Sequence, residues 1–233
     1  MIVTIATCAP QDAAGLVAEN LALLRARSGR KVLLLDATSR QACRQWATER
    51  ERLRLGPALT ARAVRGYGLP DELERLYPRF GDVVIDTDGG NGHECRSALI
   101  MAQVAVVPLA PEEADVDARY GLIARLNNAR MFNPGLRVLF VTASSEHDPA
   151  PRELSAMRSY AAQVMAGGLA CTILHLPALL WGADRPGRCA SDNESSAGAA
   201  EMAALYEEVY QASCVIPPAR RDAFIGPAHV PGR

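Results

Sequence analysis

The residues of this chain that could do chemistry are carboxylates set at the ends of apolar runs. Asp36 closes Val32-Leu33-Leu34-Leu35, and Asp86 closes Asp82-Val83-Val84-Ile85 and opens the flexible turn Thr87-Asp88-Gly89-Gly90-Asn91-Gly92. Asp86 and Asp88 offer oxygens to magnesium, or they cap and solvate the glycine turn. Magnesium ordinarily draws on substrate phosphate besides one or two carboxylates, so the structural role is expected and no metal site is assigned. His93 and Cys95 lie close together, but one such pair is weak evidence for a metal. The six cysteines (Cys8, Cys43, Cys95, Cys171, Cys189, Cys214) form no C-x-x-C pair, as in a reduced, cytoplasmic thiol set.

Between an apolar, β-branched run at residues 2–7 and a helix-like run at 15–27, the chain reads Cys8-Ala9-Pro10-Gln11-Asp12-Ala13-Ala14-Gly15-Leu16. A phosphate-holding loop at this place has the form G-x-x-x-x-G-K-[ST]. Its glycines let backbone N–H groups approach the anion, its lysine reaches the terminal phosphates, and its hydroxyl meets magnesium. Ala9, Pro10, Gln11, Ala13 and Ala14 supply none of these groups. Lys31 is the single lysine of the chain and lies at the far end of the helix. Asp12 falls where the helix should begin, either as an N-cap or as an internal carboxylate occupying the anion position. Both readings disfavour bound triphosphate.

The elements that must position these residues follow from periodicity. Strands are expected at 32–36, 82–86, 104–109, 136–142 and 170–174, with an edge strand within 58–64. Helices are expected at 40–53, from 69 to about 77, and at 115–131, 152–165 and 199–212. Strands alternating with helices predict an α/β fold with a doubly wound, mostly parallel sheet flanked by helices. In such sheets the ligand crevice lies beyond the carboxyl ends of the strands, where residues 8–12, 36–40, 86–92 and 109–113 fall. Residues 182–198 read as an exposed loop. Residues 1–216 are expected to form one domain, and 217–233 a tail that is poorly ordered or needs a partner.

At 233 residues the chain suits a single α/β domain. A net charge of −1 excludes global attraction to nucleic acid or acidic membranes, leaving only local patches. No run of about 18 apolar residues occurs, and the N-terminus has no export signal pattern, so a cytoplasmic protein without membrane attachment is expected. The closing helix carries Met202, Leu205, Val209 and Tyr206 on one side. Its acids Glu201, Glu207 and Glu208 argue for packing on the sheet rather than lying on a membrane.

Together these residues resemble the ParA/MinD family of deviant Walker-type P-loop ATPases, which position DNA or other cargo in bacteria. The resemblance spans nearly the whole chain. Asn20, Gly29, Val32-Leu33-Leu34-Leu35 and Asp36 match the family's frame, and Trp46 matches a tryptophan of many smaller members. In that frame Ala9 replaces the signature lysine and Ala14 the second lysine, while Gly15 and Leu16 stand where hydroxyl residues belong. The family's D-x-D-P-Q motif becomes Asp36-Ala37-Thr38-Ser39-Arg40-Gln41, so Thr38 replaces the aspartate that orients the attacking water. The strand ending at Asp86 looks like the Walker B strand, and residues 86–90 like the adjoining switch loop. Pro108, Pro111 and Asp115-Val116-Asp117-Ala118 resemble the following segment in small partition proteins and in relatives that assist conjugative DNA transfer.

The resemblance implies a ParA-like fold, with ATP and magnesium as the family's cofactors. The substitutions predict that neither is bound well, that no residue is catalytic, and that the chain is a pseudo-ATPase with a degenerate Walker A loop. It implies a scaffold or regulator in DNA partition, plasmid maintenance or conjugative transfer, paired with itself or with an active relative and engaging a cargo or adaptor protein. Arg185, Arg188, Arg220 and Arg221 are candidates for nonspecific DNA contact. Two alternatives stand beside this: a weak ATPase gripping nucleotide through Arg40, and a positioning factor for a secretion or polysaccharide-synthesis complex.

Overall fold

The computed structural model describes residues 1–7, 12–90, 92–111, 116–145, 147–182, 184–211 and 215–216. The expectations for Ala9, Pro10, Gln11, Arg220, Arg221 and the 217–233 tail lie outside the described residues, as does the side chain of Asp12.

The chain runs β1(Ile2–Ile5), α1(Asp12–Arg27), β2(Val32–Ala37), α2(Ala42–Arg52), β3(Thr60–Ala63), α3(Leu69–Leu76), β4(Asp82–Thr87), α4(His93–Met101), β5(Val104–Leu109), α5(Val116–Phe132), β6(Arg137–Ser144), α6(Pro151–Ala161), β7(Gly167–His175), α7(Leu176–Leu179), α8(Ala197–Tyr210) and β8(Val215–Ile216). The strands form one sheet in the order β3-β2-β4-β1-β5-β6-β7-β8. All neighbours are parallel except β7 and β8. The fold is therefore the doubly wound, mostly parallel α/β arrangement that the alternation of periods predicts.

Strands β1, β2, β4 and β5 are buried along their whole length, as expected for continuous apolar runs covered on both faces. One face packs against α3 to α6, with Leu73, Leu99, Leu126 and Met157 meeting Leu33, Ile85, Val107 and Phe140. The other packs against α1, α2 and α8, with Val17, Leu21, Trp46 and Met202 meeting Ile5, Leu34, Val84 and Val106.

The segment read as an exposed loop is exposed at 184–186 and 194–195 but has an interior stretch between them. Gly187, Cys189, Ala190 and Ser191 are buried. Arg50, itself 2% exposed, donates to Gly187 O at 2.8 Å and to Asp192 Oδ2 at 2.6 Å. Asn20 Oδ1 accepts from Ser191 N at 2.8 Å, and Trp46 Nε1 donates to Arg188 O at 3.1 Å. The polar composition that signals solvent is here satisfied by an acceptor from α1 and donors from α2.

Helix α8 docks on the sheet as expected, but its acids do not all face solvent. Glu208 is 5% exposed and accepts from Cys171 N, Thr172 N and Thr172 Oγ1 at 2.6–2.9 Å, and Glu201 accepts from His175 N at 2.8 Å. These carboxylates bind backbone N–H groups of β7 beyond the point where β8 ends its pairing. Among the described residues no helix is long and apolar enough to cross a membrane.

Candidate functional site at the carboxyl ends of β2 and β4

Asp36 and Asp86 are partners in the register of β2 and β4. Their side chains therefore leave adjacent strands on the same side, and both are buried, at 0% and 3% exposure. Asp36 is fully engaged. Its Oδ1 accepts from Thr38 N at 3.0 Å and Thr38 Oγ1 at 2.6 Å, and its Oδ2 accepts from Arg44 N at 3.0 Å. Arg44 is the third residue of α2, and Gln41 gives that helix no side-chain cap, so Asp36 caps it from the strand. Thr38 Oγ1 also accepts from Gln41 N at 3.1 Å. Thr38, at the position of the water-orienting aspartate, is thus a turn-holding hydroxyl.

Asp86 has a different partner. Its Oδ2 accepts from the Cys43 thiol at 3.2 Å, while its buried Oδ1 has no partner among the described residues. Burial raises the Asp86 carboxyl to about 7, the nearby charges of Asp36 and Asp88 add to the rise, and the Cys43 bond opposes it. Glu19, 7% exposed on α1, is held well above the usual range by burial and then by Asp86 and Asp36. The Cys43 thiol is pushed up by burial and then by the same carboxylates. Burial thus favours the protonated form of Asp86 and of Glu19.

The first turn of α1 closes over it. Ala13 and Ala14 are buried, and a Cβ on Gly15 would lie 3.6 Å from Asp86 Oδ2 and 3.7 Å from Cys43 Sγ. Asp88 holds the neighbouring turn: its Oδ2 accepts from Ser39 N at 2.8 Å, and Arg65 donates to Ser39 O at 2.8 Å. A pocket of about 230 Å³ opens beside it, lined by Thr38, Ser39, Arg65, Asp88 and Glu94 among others. Arg125 of α5 reaches the same end of the sheet and donates to Thr7 O and Gly89 O, both at 3.1 Å.

The structure thus brings Ala13, Ala14, Gly15, Asp36, Thr38, Asp86 and Asp88 to one place. Arg185 is exposed and stacks over Trp181 at 5.3 Å, and Arg188 is half-buried in the segment packed on α2. His93 stacks on Tyr67 at 3.8 Å, whereas Cys95 is buried against Thr87. Among the described residues no group of three or more His, Cys, Asp or Glu could hold a metal.

Sequence reasoning missed Cys43, Glu19 and Arg125. Cys43 was legible as an apolar-face residue of α2, but only the docking of α2 aims its thiol at Asp86. Helix α4, absent from the expected elements, carries a usable signal in the spacing of Cys95, Ala98 and Leu99.

No protein-family model and no curated protein matches the chain. Solved structures do. The MinD cell division protein of Aquifex aeolicus is 14% identical, with 94% of this chain and 99% of that chain covered at a TM-score of 0.63. A plasmid partition protein of Borrelia burgdorferi is 14% identical, with coverage of 91% and 98% and a TM-score of 0.59. Cobyrinic acid a,c-diamide synthase of Mycobacterium smegmatis, solved with ADP and magnesium, is 16% identical, with coverage of 74% and 85% and a TM-score of 0.58.

Proposed function

We propose that this chain, which has the fold of ParA/MinD-type P-loop ATPases, is a non-catalytic scaffold or regulator of DNA partition, plasmid maintenance or conjugative transfer in the cytoplasm. The observation that carries the reading is the Cys43–Asp86 contact beneath Ala14 and Gly15. The carboxylate that matches the Walker B aspartate is bonded to a thiol and retains its proton near neutrality. The first turn of α1 reads Ala13-Ala14-Gly15-Leu16, without the lysine or hydroxyl that a triphosphate and magnesium require. Asp36 is consumed by capping α2. These residues do not fit a magnesium nucleotide, and phosphoryl transfer depends almost wholly on positioning and charge stabilisation. On this reading ATP and magnesium are bound weakly or not at all, and function rests on protein contacts: a homodimer or a heterodimer with an active relative, and a cargo or adaptor.

Calorimetric titration of the full chain with ATP and magnesium tests this directly. No saturable heat at nucleotide concentrations up to about 1 mM is expected, and micromolar affinity would sink the reading. DNA contact through Arg185, Arg188, Arg220 and Arg221 belongs to the same proposal. Its signature is binding that weakens steeply with salt and loses part of that slope in Arg185→Glu. Binding indifferent to salt would count against it.

A second reading, weak nucleotide binding through an arginine, has one specific observation in its favour. Arg125, rather than the exposed Arg40, places its guanidinium at the ends of β1 and β4. The same titration decides between the two, with Arg125→Gln abolishing any heat that arises this way.

A further inference from the structure

We propose that the outward face of α5 pairs with the same face of a second copy of the chain, the two helices running antiparallel about a two-fold axis. Helix α5 is apolar on both sides. Leu122, Leu126 and Ala129 are buried in the core beneath it. Tyr120, Ala124, Asn128 and Met131 recur every three to four residues on the opposite side and are exposed. Tyr120 is 63% exposed, and Met131 and the adjoining Phe132 are each 74% exposed. A helix covered on one side alone ordinarily turns charged residues to solvent. Here all three arginines of the helix serve the fold instead. Arg119 donates to Ala110 O at 2.9 Å, Arg125 to Thr7 O and Gly89 O at 3.1 Å, and Arg130 to Pro134 O at 3.0 Å and to Leu136 O. Beyond Asp117 in the first turn, the exposed positions of α5 are uncharged.

The order of these residues along the helix selects a second copy as the occupant. Reversing α5 about Leu126 sets Tyr120 opposite Phe132 and next to Met131 of the other copy, and Ala124 opposite Asn128. Two-fold symmetry repeats each contact, so one face supplies both halves of an isologous interface. Ala124 lets the helices approach at the centre, while aromatic and methionine side chains meet at each end. Asp117 falls beyond the end of the other helix, so no like charges are opposed along the pair. Uncharged faces rich in aromatic and methionine side chains are what interface cores concentrate. Tyr120 and Phe132 alone expose roughly 200–300 Å² per copy, taking about 150–250 Å² for a whole aromatic side chain. With Met131, Ala124 and Asn128 added, two copies bury an area near the roughly 1,000 Å² that marks a specific contact, so the dimer is weak and concentration-dependent. Helix α5 starts at the carboxyl end of β5 and runs back against the strands. The antiparallel pair therefore points the two candidate sites in opposite directions and leaves both uncovered. Of the function proposed above, this inference rests on the homodimer alone.

Sedimentation equilibrium of the full chain, from about 1 to 500 μM and without nucleotide, reads the pairing. A monomer–dimer equilibrium within that range is expected. Met131→Glu and Tyr120→Arg should each weaken it at least tenfold while leaving the melting curve unchanged, because both side chains are exposed in the monomer. The double variant carries both changes about 16 Å apart on one helix, too far to pair within a chain. Across the antiparallel axis the new charges meet, so the double variant should associate at least threefold more tightly than either single one. Three results would overturn the proposal: a monomer up to 500 μM, association that Met131→Glu leaves unchanged, or a double variant no tighter than the singles. None of them bears on the calorimetric titration with ATP, which remains the separate test of the non-catalytic reading.

Discussion

Asp86 stands beside Asp36 on neighbouring parallel strands, yet the two carboxylates have opposite surroundings. Asp36 receives three donors, two of them backbone N–H groups. Asp86 receives the Cys43 thiol on Oδ2, and its Oδ1 is buried without a partner among the described residues. Burial with few donors stabilises the neutral form of a carboxylate, as at Asp86. The pair therefore divides into an anchored acid and a proton-holding one.

That division predicts a pH effect. Asp86 titrates near 3.8 when unfolded and at about 7 when folded. Between those values the folded chain keeps a proton that the unfolded chain has released, so stability falls as pH rises from about 4 to 7 and stays reduced above. Asp86→Asn removes this loss. Urea denaturation from pH 4 to 9 should show the variant gaining on the wild type as pH rises, by up to about 4 kcal/mol. A difference independent of pH would show that Asp86 ionises normally.

Cys43→Ala takes away the thiol donor to Asp86 Oδ2, at a cost of about 1–3 kcal/mol. The Cys43 bond opposes the rise of the Asp86 carboxyl, so its loss should also move the pH window upward. Cys43→Ser retains a donor and should restore most of both effects. Equal melting curves for the alanine variant and the wild type at pH 8 would mean that the contact is energetically idle.

Arg50 is buried, pairs with Asp192 at 2.6 Å and also donates to Gly187 O and Gly56 O. Arg50→Met should cost about 1–3 kcal/mol, because Gly187 O and Gly56 O lose their donor, while Asp192 keeps Arg27 at 3.2 Å. Limited proteolysis should then cut between residues 184 and 196 first. Unchanged protection there would contradict the role assigned to Arg50.

His175 lies between Glu201 Oε1 at 2.8 Å and Asp148 Oδ1 at 3.2 Å. Its pKa is raised, chiefly by the bond to Glu201. A raised histidine contributes stability that is complete below its unfolded value near 6.5 and is lost as pH rises through the higher folded value. Glu201→Gln should therefore destabilise more at pH 5.5 than at pH 9, as read by paired urea melts. The reverse ordering would refute the contribution.

The thiols provide a direct check on the packing. Cys43, Cys95 and Cys189 are buried and Cys171 is exposed. Burial raises the pKa of each of the three buried thiols. Site-resolved alkylation at pH 8 should modify Cys171 at least tenfold faster than those three. Rapid labelling of Cys43 would show that the site is open rather than closed.

Much of this was legible in the residues. The strand expected at 104–109 coincides with β5, and the apolar runs ending in Asp36 and Asp86 announce two buried strands with acids at their carboxyl ends. Glycine, serine, aspartate and arginine signal solvent locally, and within 182–198 residues 184–186 and 194–195 are exposed as expected, whereas Gly187 and 189–191 are buried. Their burial depends on Arg50, Asn20 and Trp46, more than a hundred residues away. The two glycines that begin β7 and the two-residue β8 carry no periodicity to detect.

By itself, the sequence determined the alternation of strands and helices and the absence of lysine and hydroxyl from the first turn of α1. Both are local properties, set by side-chain period and residue type. Only the tertiary structure decided that β2 and β4 pair with Asp36 beside Asp86, that α2 turns Cys43 onto Asp86, and that Arg125 reaches from α5 to the ends of β1 and β4. Such contacts form between segments far apart in the chain, where register and helix docking, rather than local preference, fix which atoms meet.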